Sequence, residues 1–332
     1  MGIRFLNRFL QDNCKKSIKK IDLHDLSGKK IIIDTSIYLY RFLGENALLE
    51  NFYHMITIFR KYNITPLFVF DGKPPKEKFE LIKERSQLKK QAKREFNELK
   101  EKIKNCDENE KKSIINEMEQ LKKEFICLHH TDIENVKKLI TSYGVSYIEA
   151  IGEADKLCAK IVCQNKAYAC LSEDMDLFVY GCNKVLRYFS LIHENCVLYD
   201  YDSIINELNM NENEFKHICI LSGTDYKTYS NNNNNNNIYQ IMKYFNHFKL
   251  KNNQNNQDNQ NNQDNQNNQD NFIIWFQNNN NLNIEEFNNT KSLFDLENMP
   301  DYDYFKKIDI YNSKPNISNL KKILETENFL FV

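Results

Sequence analysis

Seven carboxylates in this 332-residue chain stand where they could do chemistry together: Asp34, Asp71, Glu153, Asp155, Asp174, Asp176 and Asp225. Hydrolysis of a phosphodiester by in-line attack of water develops two charges, one on the incoming oxygen and one on the departing alkoxide. Two divalent cations about 3.5–4 Å apart stabilise both. Hard oxygen ligands suit Mg²⁺, with Mn²⁺ as a substitute, and Mg²⁺ keeps several of its waters. A site of this kind therefore needs acids from different strands, some binding directly and some through water. A lone strand-end aspartate is more often a helix cap than a ligand. Seven gathered in one place are another matter, because without cations their repulsion leaves some protonated or drives them apart.

The elements that must position them are legible as short apolar runs. Lys30-Ile31-Ile32-Ile33 ends on Asp34 and leads into a helix-like stretch from Ile37 to Phe42. Pro66-Leu67-Phe68-Val69-Phe70 ends on Asp71 and the turn Gly72-Lys73-Pro74-Pro75; Tyr168-Ala169-Cys170-Leu171 precedes Ser172-Glu173-Asp174-Met175-Asp176. Continuous rather than alternating hydrophobicity marks strands covered on both faces, hence a mostly parallel central sheet flanked by helices in an α/β fold. Ligands gather beyond the carboxyl ends of such strands, so the acids converge by topology. From about 76 to 123 the chain is rich in Lys, Glu, Gln and Leu without Gly or Pro, which predicts one or two long helices standing off the sheet as a partly exposed arch. Ile133, Val136, Leu139 and Ile140 predict a helix over 131–143, followed by the strand Val145-Ser146-Tyr147-Ile148. Two Asn-rich tracts, 231–237 and 252–271, carry too little apolar surface to offset ordering entropy and are expected to be disordered insertions. Around them, 238–248, 272–276 and 317–324 are expected to form small helices.

A net charge of −1 conceals strong asymmetry: eight Lys or Arg face three Asp between Arg4 and Lys30, and nine face three Glu between Lys73 and Arg94. Both segments are candidate phosphate contacts, although a solvated helix face has the same composition. Nine cysteines without a C-x-x-C pair point to reduced thiols and an intracellular setting rather than a disulfide framework. Cys127, His129 and His130 lack a second ligand pair at zinc spacing and are expected to be ordinary packing or surface residues. No apolar run approaches the roughly 18 residues needed to span a bilayer, so no membrane partner is expected.

Five motifs, Ile31-Ile32-Ile33-Asp34, Val69-Phe70-Asp71-Gly72-Lys73-Pro74-Pro75, Gly152-Glu153-Ala154-Asp155, Ser172-Glu173-Asp174-Met175-Asp176 and Leu221-Ser222-Gly223-Thr224-Asp225-Tyr226, resemble in order the acidic motifs of the flap endonuclease/XPG superfamily of 5′ nucleases. The resemblance implies a PIN-like nuclease domain over 1–226 and a helical C-terminal region over 227–332. It places Asp34, Asp71, Glu153 and Asp155 around one metal ion, and Asp174, Asp176 and Asp225 around the other. Glu153 and Asp155, two apart, fit together only at the first turn of a helix, where carboxylates also favour the dipole. Lys78 and Arg85, about two turns apart on the basic helix, resemble the pair that neutralises the scissile phosphate in the transition state. Tyr40 resembles the aromatic on which the flanking nucleotide stacks. Gly2 resembles the family's processed N-terminal residue beside the substrate, and Lys73 and Lys89 are further candidate nucleic-acid contacts.

The chain also departs from the family. Asp155 replaces a Glu and resembles the exonuclease branch. No glycine follows Gly223, where cellular members carry a Gly-rich duplex clamp, and the segment between Asp34 and Asp71 is short. No sliding-clamp box ends the sequence. The expectation is a monomeric hydrolase acting on DNA with a 5′ flap, nick or 5′ end in replication or repair, with cleavage chemistry retained and a looser grip. An RNA-directed nuclease and a non-catalytic nucleic-acid scaffold are the alternatives. An intracellular location, in the nucleus or at a site of DNA replication, would suit the family.

Overall fold

The computed structural model describes residues 2–105, 107–226, 230–231, 234–258, 268–280, 282–297, 299, 308–325 and 329. Seven strands form one sheet: Ile18–Asp22 (β1), Lys30–Asp34 (β2), Thr65–Phe70 (β3), Ser146–Glu149 (β4), Ala169–Leu171 (β5), Lys184–Ser190 (β6) and Asn195–Asp200 (β7). Their spatial order is β1-β7-β6-β5-β2-β3-β4. Strands β2 to β6 run parallel, and β7 and β1 complete one edge antiparallel. The isoleucine run of β2 is apolar at every position because both faces are covered. Ile32 packs with Leu67, Val69 and Cys170 on one side, while Ile31 and Ile33 pack with Phe68, Phe70 and Leu171 on the other.

Strand order decides where a site can form. From β2 the chain steps outward to β3 and β4, then returns to place β5 on the opposite side of β2. The crevice between the carboxyl ends of β2 and β5 is thus the point where the winding reverses, and α/β sheets bind their ligands at such points. Helices Thr35–Gly44, Leu48–Lys61 and His130–Ser142 cover one face, and Ala154–Cys163 and Glu212–Leu221 cover the other. Residues beyond 226 enter both cores: Phe245, Phe276 and Phe287 on the second face, Leu320 and Leu324 on the first. The 76–123 segment, expected to form one or two long helices, forms two, Phe79–Lys102 and Glu108–Glu124, with Ala92 and Ile114 its buried apolar residues among those described.

The Asn-rich tracts differ from expectation. Helix Ile238–Asp258 runs through 252–258, and helix Asn268–Asn280 begins within the second tract, of which 259–267 lie outside the described residues. Ile238, Ile241, Phe245 and Phe248 seat the first helix on the core, and once nucleated the helix gains one hydrogen bond for each further residue fixed. In the first tract, Ser230–Asn231 pairs with Asn234–Asn235, and Asn236 is buried. The side-chain oxygen of Asn237 accepts from the amides of Tyr239 and Gln240 at 3.1 and 3.2 Å. Asparagine is a strong N-cap, and composition alone does not reveal that use.

Candidate active site

Each acid is delivered by the end of an element. Asp34 is the last residue of β2, and Asp71 is the first beyond β3. Glu153 is the N-cap of helix Ala154–Cys163 and Asp155 lies in its first turn, the arrangement their spacing required. Asp174 follows β5, Asp176 opens the short helix Asp176–Val179, and Asp225 follows helix Glu212–Leu221.

Their proximity is written in their electrostatics. Burial first, then the Asp71 charge, push the Asp34 carboxyl up to about 8; the Ser172 hydroxyl opposes the rise and Asp174 adds to it. Burial, then Glu153, Asp174 and Asp176, hold Asp155 well above the usual carboxylate range, with Lys78 opposing. Burial, then Asp174, do the same for Asp176, and Asp225 and Glu153 contribute. All seven acids share one field.

Local chemistry explains the motif residues around them. A Cβ on Gly72 would lie 2.0 Å from the Ala150 carbonyl oxygen, so only glycine lets the turn after β3 dock on 150–152. That docking brings Asp71 Oδ1 within 2.8 Å of the Ala154 amide, where it accepts a hydrogen bond, while Ser36 Oγ donates to Asp71 Oδ2. Asp71 is therefore a helix cap as well as a member of the acid rim. Ser172 Oγ donates to Asp34 Oδ2 at 2.8 Å and accepts from the Asp174 amide at 3.1 Å. The Asp176 amide donates to Asp174 Oδ1 at 3.0 Å. Gly2 closes over the same acids with φ +80°, and a Cβ there would lie 2.6 Å from Asp176 Oδ1 and 2.8 Å from Asp174 Oδ1.

The arch supplies the cations. Lys78, at the foot of helix Phe79–Lys102, donates to Glu153 Oε1, and Arg85 reaches Asp225 Oδ2 at 3.0 Å. Burial would lower the Lys78 pKa, but Asp155, Glu153 and Asp176 together raise it above its ordinary value. Tyr40 is 43% exposed, with one face taken by Lys89, whose ammonium lies 4.8 Å from the ring centroid and donates to the Ile126 carbonyl at 3.1 Å. Lys73 lines a cavity beside Glu153 with Ile151, Leu157 and Tyr226.

Ser36, Ser172 and Tyr226 belong to the site and had no assigned role. The two serines carried a signal: small hydroxyls just beyond a strand end can bond the next carboxylate or amide. Among the described residues no group of three or more His, Cys, Asp or Glu side chains is arranged as a ready metal cage. The donor set is nonetheless all carboxylate oxygen, the chemistry that divalent Mg²⁺ or Mn²⁺ takes. Among the described residues both carboxylate oxygens of Asp176 are buried without a hydrogen-bond partner, which a cation would satisfy.

The family profile described as XPG N-terminal domain matches residues 1–92, and that described as XPG I-region matches residues 144–225. The first contains Asp34 and Asp71, and the second the other five acids. A Leishmania braziliensis protein, Flap endonuclease 1, is 31% identical over 248 residues, spanning 68% of this chain and 60% of that protein. The chain spans about three fifths of the length of the curated relatives it matches. In fold it is similar to the catalytic core of Rad2 in complex with DNA substrate, with a TM-score of 0.64 at 20% identity over 98% of this chain and 94% of that one. The flap endonuclease-1 from Methanococcus jannaschii gives 0.61 at 21% identity over 98% and 93%. The chain belongs to the XPG family.

Proposed function

We propose that this chain is a structure-selective 5′ nuclease that hydrolyses DNA phosphodiesters at flaps, nicks or 5′ ends. The observation that supports it best is the union, at the β2/β5 crevice, of seven acids in one field with the arch cations Lys78 and Arg85. The flap endonuclease relatives support the same substrate class. Two divalent cations, Mg²⁺ or Mn²⁺, would supply charge stabilisation at both reacting oxygens, with Asp34, Asp71, Glu153 and Asp155 holding one and Asp174, Asp176 and Asp225 the other. Lys78 and Arg85 would turn from their carboxylates to the scissile phosphate and neutralise the charge that grows there. Tyr40 would stack on a flanking base, which suits any sequence. On this reading the protein acts as a monomer inside the cell, in the nucleus or wherever DNA is replicated or repaired.

The test is cleavage of labelled flap, nick, gap, bubble, four-way-junction and RNA–DNA hybrid substrates by the purified chain. Cutting near the single-strand/double-strand junction in Mg²⁺, stopped by EDTA, is the expected result. A chain that cuts none of them would refute the proposal, and preference for the RNA strand would redirect it to RNA.

Gly2→Ala offers a second check. The left-handed φ and the approach to Asp174 and Asp176 leave no room for a methyl group. The mutant is expected to cut roughly tenfold more slowly, in line with about 1–2 kcal/mol of strain placed at the reacting centre. Parental single-turnover rates would show that the N-terminal segment is indifferent to the site.

A further inference from the structure

Asp225 and Tyr226 are consecutive, and each receives one of the two arch cations. Arg85 pairs with Asp225, and Lys78 Nζ lies 4.6 Å from the centroid of the Tyr226 ring. The Tyr226 hydroxyl donates to Glu153 Oε2 while Lys78 donates to Glu153 Oε1, so both oxygens of that carboxylate are held. Tyr226 is itself fixed. Its hydroxyl lies 3.3 Å from that of Tyr180, and its ring meets Phe294 edge-on at 5.3 Å. Phe294 is fully buried and follows helix Ile284–Leu293, so the C-terminal region braces the acid rim through this ring.

We propose that Tyr226 is a positioning residue: its hydroxyl fixes the orientation of Glu153, and its ring gives the Lys78 ammonium a second seat beside the rim. The inference rests on the nuclease reading and adds a residue outside the acid ring. Lys78 cannot neutralise Glu153 and a scissile phosphate with the same protons. As it turns to substrate, Glu153 loses a charge-assisted hydrogen bond and would be free to rotate. The Tyr226 hydroxyl is the donor that stays. Hydrogen bonds of this kind, made to a ligand rather than to the metal, set ligand orientation and cation affinity. The aromatic face meanwhile attracts the ammonium without forming a salt bridge that substrate would have to break.

Tyr226→Phe keeps the ring, its packing on Phe294 and the seat for Lys78, and removes only the hydroxyl. Three quantities are measured: Mn²⁺ affinity by calorimetry without DNA, flap-DNA affinity in Ca²⁺, and single-turnover cleavage in Mg²⁺. Mn²⁺ affinity and cleavage rate are each expected to fall roughly tenfold, the usual effect of losing a hydrogen bond to a metal ligand, with DNA affinity unchanged. A Tyr226→Phe protein with parental Mn²⁺ affinity overturns the role of the hydroxyl, whatever its melting temperature. Tyr226→Leu removes the ring as well and is expected to cut more slowly than Tyr226→Phe; equal rates overturn the seat for Lys78. Failure of the parent chain to cut any DNA would sink the nuclease reading, while the calorimetric comparison would still judge the hydroxyl.

Discussion

Asp176→Asn is expected to cut a flap substrate roughly 10³-fold more slowly than the parent chain, about 4 kcal/mol of barrier, and yet to melt at a higher temperature in EDTA. The two effects have one cause. Asp176 is completely buried, both its oxygens lack hydrogen-bond partners among the described residues, and its carboxyl is held well above the usual range by burial and by Asp174. Without cations its charge opposes the fold, and in the proposed two-cation site that charge would be what binds them. The amide removes the penalty and the affinity together.

The pH dependence follows with a definite sign. Asp34, Asp155 and Asp176 have folded-state pKa values above those of the unfolded chain, and Asp34 is pushed up to about 8. The folded protein therefore binds more protons than the unfolded chain once pH exceeds the ordinary carboxylate range near 4. Cation-free stability is expected to fall as pH rises from there through about 8, the Asp34 value, and Mg²⁺ is expected to flatten that slope. Thermal melts of parent and Asp176→Asn in EDTA and in Mg²⁺, beside single-turnover rates, check both halves. An Asp176→Asn protein that cuts at the parental rate would remove Asp176 from the site.

Lys78→Ala carries the next largest effect. The Lys78 side chain is only 12% exposed, pairs with Glu153 and faces the Tyr226 ring, so its charge reaches the rim already stripped of much of its water. Loss of one preorganised charge at a developing oxyanion costs about 10²–10³ in rate, and a reduction of that order is expected with little change in DNA affinity. Arg85→Ala should do less, because the Arg85 side chain is 46% exposed and its charge is screened by solvent. Quench-flow rates beside anisotropy titrations separate the two quantities. Equal losses in binding and rate for Lys78→Ala would recast it as a simple phosphate anchor.

Most of the acids were readable from the chain because each follows a local signal, whereas Asp225 was marked only by the family motif. An apolar run of strand length announces a covered strand, and Asp34, Asp71 and Asp174 sit at or just beyond its end. The Glu153/Asp155 spacing is satisfied at a helix N-terminus, where it was expected. The helical reach of 252–258 was not readable, because composition reports average polarity and not the apolar face from which a helix is propagated. Asn237 escaped notice for a similar reason: a single cap does not stand out within seven asparagines.

What the sequence determined by itself was the central strands that lead to the acids, the arch helices and the chemical type of each site residue, since backbone periodicity and side-chain ionisation are properties of a few neighbouring residues. Partnership was decided by tertiary structure alone. Lys78 meets Glu153 across 75 residues, Arg85 meets Asp225 across 140, and Tyr226 meets Glu153 across 73. Such pairings depend on the return of β5 to the far side of β2 and on the packing of Phe294 behind Tyr226, which are set by the burial of both sheet faces together and have no local signature.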